Sequence, residues 1–222
     1  TGVLVAMAPL PVTVRLLDAP LHEFLGDDAP PEWREHNPML GIRGIRLAVL
    51  REGLYRMQVR ALLGAMDDAT AAGSHAHAAI MVPLVSTAAE LALVRGWVLD
   101  EIEEWDPTEP PAVGTMIETP RAALLAADMA AHADFFSFGT NDLTQMVFGL
   151  SRDDVEQRMM GPYLERGLLP ADPFAHLDPG AVAPLVAAAT RAGRMARPDL
   201  EVGVCGEHGG DPESIRLLVE AG

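Results

Sequence analysis

Short runs of apolar and β-branched residues recur along the chain, and each run ends in polar or glycine-rich residues. Runs of this kind, followed by segments with helical spacing, are typical of buried strands that lead into helices. Five strands are predicted, over residues 12–17, 78–83, 113–118, 135–138 and 202–205. A sixth, very short strand is predicted near residues 44–47.

Two predicted helices begin with clear signals. Thr87 followed by Glu90 forms a capping box, and an apolar face then recurs at helical spacing. That face consists of Leu91, Val94, Val98, Ile102 and Trp105. Asp211-Pro212 predicts an N-cap followed by proline at the first helical position, and this helix is expected to run to Gly222. A third helical run covers residues 181–195.

Alternating strands and helices predict an α/β fold with a parallel sheet. The pattern alone allows both an open doubly wound sheet and a closed (β/α) barrel. Residues 26–38 and 151–179 mix charge, proline and glycine, and they interrupt the alternation as long loops, which often carry function. Residues 100–111 are acidic and are predicted to be a solvated loop.

Composition and charge exclude several classes of protein. The 222 residues are 49% hydrophobic and carry a net charge of −16, which disfavours binding to nucleic acid or to an anionic membrane surface. The apolar stretches are far shorter than the roughly 20 residues of a membrane span, and no basic segment precedes the first of them. We therefore expect a cytoplasmic protein without membrane association.

Residue types that are rare or absent in the sequence exclude several kinds of catalytic and metal site. All sixteen basic residues are arginine, which excludes a lysine Schiff base and a Walker A loop in this chain. Cys205 is the only cysteine, which excludes an internal disulfide and a cysteine-rich zinc site.

Candidate functional residues follow the predicted strands, where parallel α/β folds bind their ligands. They are Arg15, Glu118, the turn Gly139-Thr140-Asn141-Asp142 and the segment 205–210. Glu118 and Asp142 follow successive strands, so they could share a hard cation such as Mg²⁺. The same spacing allows a structural alternative, in which Asp142 caps a helix and Glu118 pairs with Arg121.

Other candidates keep two interpretations as well. Gly139-Thr140-Asn141 could present backbone N–H groups to an anion or form an ordinary turn. Arg15 and Arg43 could bind carboxylate or phosphate, or pair with surface acids. Cys205 could exchange protons or pack as a small apolar residue, and His208 beside it could hold a loop together by hydrogen bonds.

Five strings of residues, in order, resemble the C-terminal phosphoenolpyruvate/pyruvate-binding domain of the pyruvate phosphate dikinase family. They lie at residues 11–18 with 21–25, 37–44, 116–122, 136–145 and 205–212, and together they extend over nearly the whole chain. The Leu-His-Glu-Phe string at residues 21–24 and the Gly-Glu-His-Gly-Gly string at residues 206–210 favour this branch. The alternatives within the superfamily are phosphoenolpyruvate synthase and enzyme I of the sugar phosphotransferase system.

The resemblance implies a (β/α)₈ barrel and a role for each candidate residue. Glu118 and Asp142 would hold Mg²⁺, and Asn141 with the backbone near Gly139 and Thr140 would bind the substrate carboxylate or enolate oxygen. The arginines, Arg15 and Arg43, would bind the phosphoryl group and the enolate. Cys205 would move the proton at C3 of pyruvate and phosphoenolpyruvate.

The resemblance also implies partners and a boundary. Residues 1–222 would be one partial barrel domain without its first and last strands, and it would form a homodimer. The nucleotide-binding and phosphohistidine domains of the family, which bind ATP and relay the phosphoryl group, would lie elsewhere in the full polypeptide. Two rival functions remain open, a silent binding or dimerisation module and a metal-dependent carbon–carbon lyase of the citrate-lyase kind.

Overall fold

The computed structural model describes residues 1–20, 35–75 and 77–222. These residues divide into two compact units. Unit 1 comprises residues 1–115 and 132–134, and unit 2 comprises residues 116–131 and 135–222. The string at residues 21–25 and most of the predicted loop 26–38 lie outside the described residues.

Unit 1 alternates helices with parallel strands. Its elements are α1 (Gly2–Met7), β1 (Val12–Arg15), a 3₁₀ turn (Pro38–Leu40), α2 (Gly44–Leu50), α3 (Gly53–Ala71), β2 (Ala78–Val82), α4 (Ala88–Trp105) and β3 (Ala112–Ile117). The last two residues of β3 belong to unit 2. Strand β2 pairs in parallel with β1 and with β3, and Ile80 lies opposite both Val14 and Val113. The buried side chains of Ile80, Val59 and Leu91 form part of its core.

Helix α4 begins where the capping box predicts. The Thr87 hydroxyl accepts from Glu90 N at 3.1 Å, and the Glu90 carboxylate accepts from Thr87 N at 2.6 Å. Four of the five predicted face residues are buried, but Trp105 is 40% exposed in the last turn. Its indole N–H donates to Asp67 at 2.9 Å, which suits a residue with one apolar and one polar end. The helix also takes in residues 100–105, so only the later part of the predicted acidic loop is a loop.

The predicted strand at residues 44–47 is wrong, because this segment begins helix α2. Four residues are too few to separate a period of 2 from a period of 3.6. Ile45 and Ala48 are both fully buried and lie three residues apart, which is helical spacing. Gly44 starts the helix at a φ of 54°, a left-handed conformation that favours glycine.

Unit 2 continues the same alternation. Its elements are α5 (Pro120–Leu124), α6 (Ala126–Ala130), β4 (Phe135–Gly139), α7 (Thr140–Phe148), α8 (Arg152–Val155), a π-helical turn (Glu156–Met160), α9 (Gly161–Glu165), α10 (Val182–Ala196), β5 (Glu201–Cys205), a 3₁₀ turn (Glu207–Gly210) and α11 (Pro212–Glu220). Strands β4 and β5 are parallel, and Gly139 lies opposite Cys205. Helix α10 packs closely on β4, because a Cβ on Gly193 would lie 2.8 Å from the ring of Phe136 and equally close to a methyl of Leu200.

Two further sequence predictions concern unit 2. Asp211 caps α11 as predicted, although the helix ends at Glu220 rather than at Gly222. The predicted loop 151–179 contains two short helices and the π-helical turn.

The fold class is therefore confirmed. All five predicted strands are present, every strand pair given above is parallel, and helices separate the strands. This is the repeat of a partial (β/α) barrel. No helix in the described part of the chain has the length and hydropathy of a membrane span.

Candidate active site at the strand ends of unit 2

Unit 2 carries most of the candidate residues at the carboxyl ends of its strands. Glu118 follows β3 directly, the turn into α7 follows β4, and Cys205 closes β5. Glu118 is buried, with 1% of its surface exposed, and Asp142 is half-buried. Their ligand oxygens lie within 4.8 Å of each other. The structure thus brings together the two acids that the sequence predicts to be metal ligands.

Gly139 makes room for the Glu118 side chain. A Cβ at position 139 would lie 2.5 Å from Glu118 Oε2 and 2.7 Å from the sulfur of Met116. Real Cβ atoms do not approach neighbours this closely, so a glycine is required at the end of β4. Gly139 and the Glu118 side chain are therefore packed directly against each other.

The donor chemistry of this pair fits a hard divalent cation. Carboxylate oxygens are ligands that Mg²⁺ prefers, and Mg²⁺ is commonly held by one or two carboxylates together with substrate oxygens and water. Two carboxylates this close repel each other unless a cation or a proton lies near them. Asp142 does not cap α7, since the N-cap is Gly139 and Asp142 lies within the first turn.

Cys205 lies beside the same turn. Its Sγ donates to the carbonyl oxygen of Phe138 at 3.6 Å, and its side chain is partly exposed. Gly206 follows at a φ of 116°, which allows the chain to turn closely against α7. A Cβ there would lie 3.0 Å from Thr140 Oγ1 and 3.1 Å from Asn141 Oδ1. A thiol in this position can give or take a proton at a ligand held by the turn.

The segment after Cys205 is fixed from two sides. Arg152 forms a bidentate ion pair with Glu207, in which its two terminal nitrogens donate to the two carboxylate oxygens at 2.9 and 2.8 Å. The hydrogen bond from Arg152 holds the pKa of Glu207 below its ordinary value. His208 is fully buried and bonds to Thr140 and to the carbonyl of Pro173. These contacts show that His208 holds the loop together by hydrogen bonds, as the structural interpretation of this residue expects.

The two candidate arginines lie in unit 1 and share one acid. Arg43 forms a buried pair with Asp18, with distances of 2.7 Å and 3.1 Å. Arg15, whose side chain is 49% exposed, reaches the same carboxylate at 3.3 Å. Asp18 has no role predicted from the sequence, although its place three residues after Arg15 is a signal for an ion pair. Asp18 therefore fixes the positions of both arginines.

The fold and these strand ends define a class of protein, a parallel α/β barrel domain with carboxylate and thiol groups at its carboxyl edge. Residues 1–222 match the family described as PEP-utilising enzyme, PEP-binding domain. The chain belongs to this family, as the resemblance implied.

Three similar relatives are named pyruvate, phosphate dikinase. The chain is 46% identical over 247 aligned residues to the chloroplastic pyruvate, phosphate dikinase of Mesembryanthemum crystallinum and to pyruvate, phosphate dikinase 1 of Arabidopsis thaliana. It is 44% identical to pyruvate, phosphate dikinase 2 of Oryza sativa subsp. japonica. These alignments cover 100% of the chain and 26–28% of the relatives, so the chain spans about a quarter of their length.

A solved structure of a citrate lyase from Burkholderia xenovorans LB400 is also similar. It is 18% identical, has a TM-score of 0.36, and the likeness covers 75% of this chain and 53% of that one. A likeness this low carries no argument about function.

Proposed function

We propose that this chain is the phosphoenolpyruvate/pyruvate domain of a pyruvate phosphate dikinase. The observation that carries the proposal is the Glu118–Asp142 pair, with oxygens within 4.8 Å, in a chain of the PEP-binding family. The names of the relatives favour a dikinase over phosphoenolpyruvate synthase or enzyme I.

Each candidate residue has a role in this reaction. Arg15 and Arg43 bind the phosphoryl group and the enolate, because guanidinium groups recognise such anions in a fork. Asn141 and the backbone at Gly139 and Thr140 bind the carboxylate or the enolate oxygen. Glu118 and Asp142 would hold Mg²⁺, which when bound would supply positive charge at developing negative oxygens.

Cys205 handles the proton at C3. Toward phosphoenolpyruvate, the thiolate of Cys205 takes a proton from C3 of pyruvate, and the electron pair forms the C2–C3 double bond. The resulting enolate oxygen attacks the phosphorus of a phosphohistidine, so that a P–O bond forms while the P–N bond breaks. In the other direction the thiol returns the proton to C3.

The partners follow from this reaction. The phosphohistidine and the ATP site lie in other domains of the same full polypeptide, and the domain forms a homodimer. The overall conversion of pyruvate, ATP and phosphate into phosphoenolpyruvate, AMP and diphosphate needs those domains. The cytoplasmic location remains a prediction.

Calorimetric titration with oxalate, a planar mimic of the pyruvate enolate, tests the metal and substrate site. We expect binding with Mg²⁺ and none with EDTA. Glu118→Gln and Asp142→Asn each remove a charged ligand and should abolish the Mg²⁺-dependent binding. Glu165→Gln, on the exposed face of α9, is the matched control and should bind like the parent.

The outcomes separate the assignments. Mg²⁺-dependent affinity that survives in either site variant would contradict the metal assignment. A parent chain that is folded by circular dichroism but binds no oxalate would favour the silent binding or dimerisation module.

A further inference from the structure

His208 joins two strand-end segments of unit 2 that are far apart in sequence. Its ring is fully buried, in the 3₁₀ turn that follows Cys205. Nδ1 lies 2.8 Å from Thr140 Oγ1, and Nε2 lies 3.0 Å from the carbonyl oxygen of Pro173. Thr140 is also fully buried.

The direction of both hydrogen bonds can be assigned. The Pro173 carbonyl only accepts, so Nε2 carries a proton and donates to it. Burial lowers the pKa of His208, which favours the neutral ring at pH 7. In the neutral ring Nδ1 is an acceptor, and the Thr140 hydroxyl therefore donates to it.

The two segments joined by this bond hold the groups with proposed roles. Thr140 begins α7, directly before Asn141 and Asp142, and His208 lies three residues after Cys205. Glu207 N also reaches Asn141 Oδ1, but at 3.4 Å this is a long hydrogen bond near the surface. The Thr140–His208 bond is shorter and excluded from water, where a hydrogen bond is stronger.

We propose that His208 is a positioning residue, whose bond to Thr140 holds the Cys205 thiol in a fixed position beside the turn Gly139–Asp142. The significance of that position for catalysis rests on the proposed function, whereas the mechanical link does not. When the bond is absent, the segment after Cys205 opens more often and the thiol samples more solvent.

Alkylation by iodoacetamide measures this opening, because Cys205 is the only cysteine of the chain. The experiment uses the 222-residue chain without ligand, well below its unfolding midpoint. Thr140→Val keeps the shape and removes the hydroxyl. It should raise the alkylation rate by about fivefold to tenfold, the factor expected for one buried hydrogen bond. Thr140→Ser keeps the hydroxyl and should be alkylated at the parent rate.

His208→Phe keeps a ring and removes the acceptor, so it should also speed alkylation. The double variant Thr140→Val with His208→Phe should react no faster than His208→Phe alone, because both changes break the same bond. His77→Phe is the matched control on the surface of unit 1 and should leave the rate unchanged.

Two results would overturn the proposal. One is a Thr140→Val chain, folded by circular dichroism, that alkylates at the parent rate. The other is equal acceleration of alkylation by Thr140→Ser, which keeps the hydroxyl, and by Thr140→Val, which removes it. Equal rates would show that the hydrogen bond of the hydroxyl does not hold the thiol in place. Neither result depends on oxalate binding, so failure of this inference and failure of the proposed function are separable.

Discussion

Gly139 is a residue whose importance is set by its neighbours rather than by its own conformation. Its Cα faces the Glu118 carboxylate and the Met116 sulfur, which leave no space for a Cβ. Gly139→Ala should therefore displace Glu118, lower the free energy of unfolding by ~1–3 kcal/mol as overpacking does, and weaken Mg²⁺-dependent oxalate binding. Thermal unfolding and calorimetry measure the two effects.

Gly203→Ala is the matched control for this prediction. Gly203 lies in the neighbouring strand β5, and nothing approaches within 4 Å of the Cβ that alanine would add. It should bind oxalate like the parent. Equal loss of binding in both variants would contradict the close packing of Gly139 against Glu118.

Asp211 gives unit 2 an acid-sensitive contribution to stability. Its carboxylate accepts from the Ser214 hydroxyl and backbone N–H and pairs with His176, and these contacts lower its pKa from 3.8 to about 2. Because the folded pKa lies below the unfolded one, this stabilisation is complete above about pH 4 and is lost as pH falls through about 2.

Thermal unfolding midpoints from pH 5 to pH 2 test this prediction. The Asp211→Asn chain keeps a capping side chain without the titration, so its midpoint should fall less steeply than that of the parent. Asp128→Asn, on the exposed part of α6, should follow the parent curve. Parallel curves for Asp211→Asn and the parent would contradict the assignment.

At the scale of single residues, the sequence predicts which residues lie at the site better than it predicts their contacts. Glu118, Asp142 and Cys205 were identified because they follow strands, and that rule needs only local pattern. The partners of His208 lie 68 and 35 residues away, at Thr140 and Pro173, and no local pattern relates such positions.

Among the elements, α4 shows which structural features can be predicted from a few neighbouring residues. The Thr87–Glu90 capping box spans four residues and is formed as predicted. Thr87→Ala should lower the free energy of unfolding by about 1 kcal/mol, because the backbone N–H of Glu90 loses its acceptor. Chemical denaturation measures this loss.

Thr70→Ala in α3 is the matched control. The Thr70 hydroxyl donates to the Met66 carbonyl within the helix, a position where alanine is the better helix former. Stability should stay equal or rise. An equal loss for both variants would mean that the cap does not set the start of α4.

Helix α2 shows the opposite case. Residues 44–47 fit both the two-residue period of a strand and the 3.6-residue period of a helix. Burial of Ile45 and Ala48 on one side favours the helix. That burial depends on the neighbouring elements of unit 1, so it could not be predicted from residues 44–47 alone.

For the whole molecule, net charge is the dominant electrostatic feature. At −16 the folded chain repels itself, and added salt screens this repulsion. Raising NaCl from about 10 mM to about 150 mM shortens the Debye length from ~30 Å to ~8 Å and should raise the unfolding midpoint.

The ion pairs of the buried Glu101 carboxylate oppose this effect. Glu101 is 2% exposed and pairs with Arg56 and Arg60. Burial raises its pKa, but hydrogen bonds from the two arginines outweigh burial and lower it. Because the Glu101 carboxylate is shielded from solvent, salt screens these pairs less than fully exposed ones, so they should not reverse the trend. A midpoint that falls with salt would show that attraction outweighs repulsion in the folded chain.

The path of the chain between the two units has a consequence for how this domain can be divided. The chain passes from unit 1 to unit 2 after Thr115, returns for residues 132–134, and leaves again. The returning Asp134 accepts from Val113 N at 2.8 Å and pairs with Arg95 at 3.0 Å. A gene segment that ends at Thr115 would encode a first unit without this tie. Recombination at a single point after Thr115 would thus leave the first unit incomplete, which sets where this domain can be cut in protein engineering.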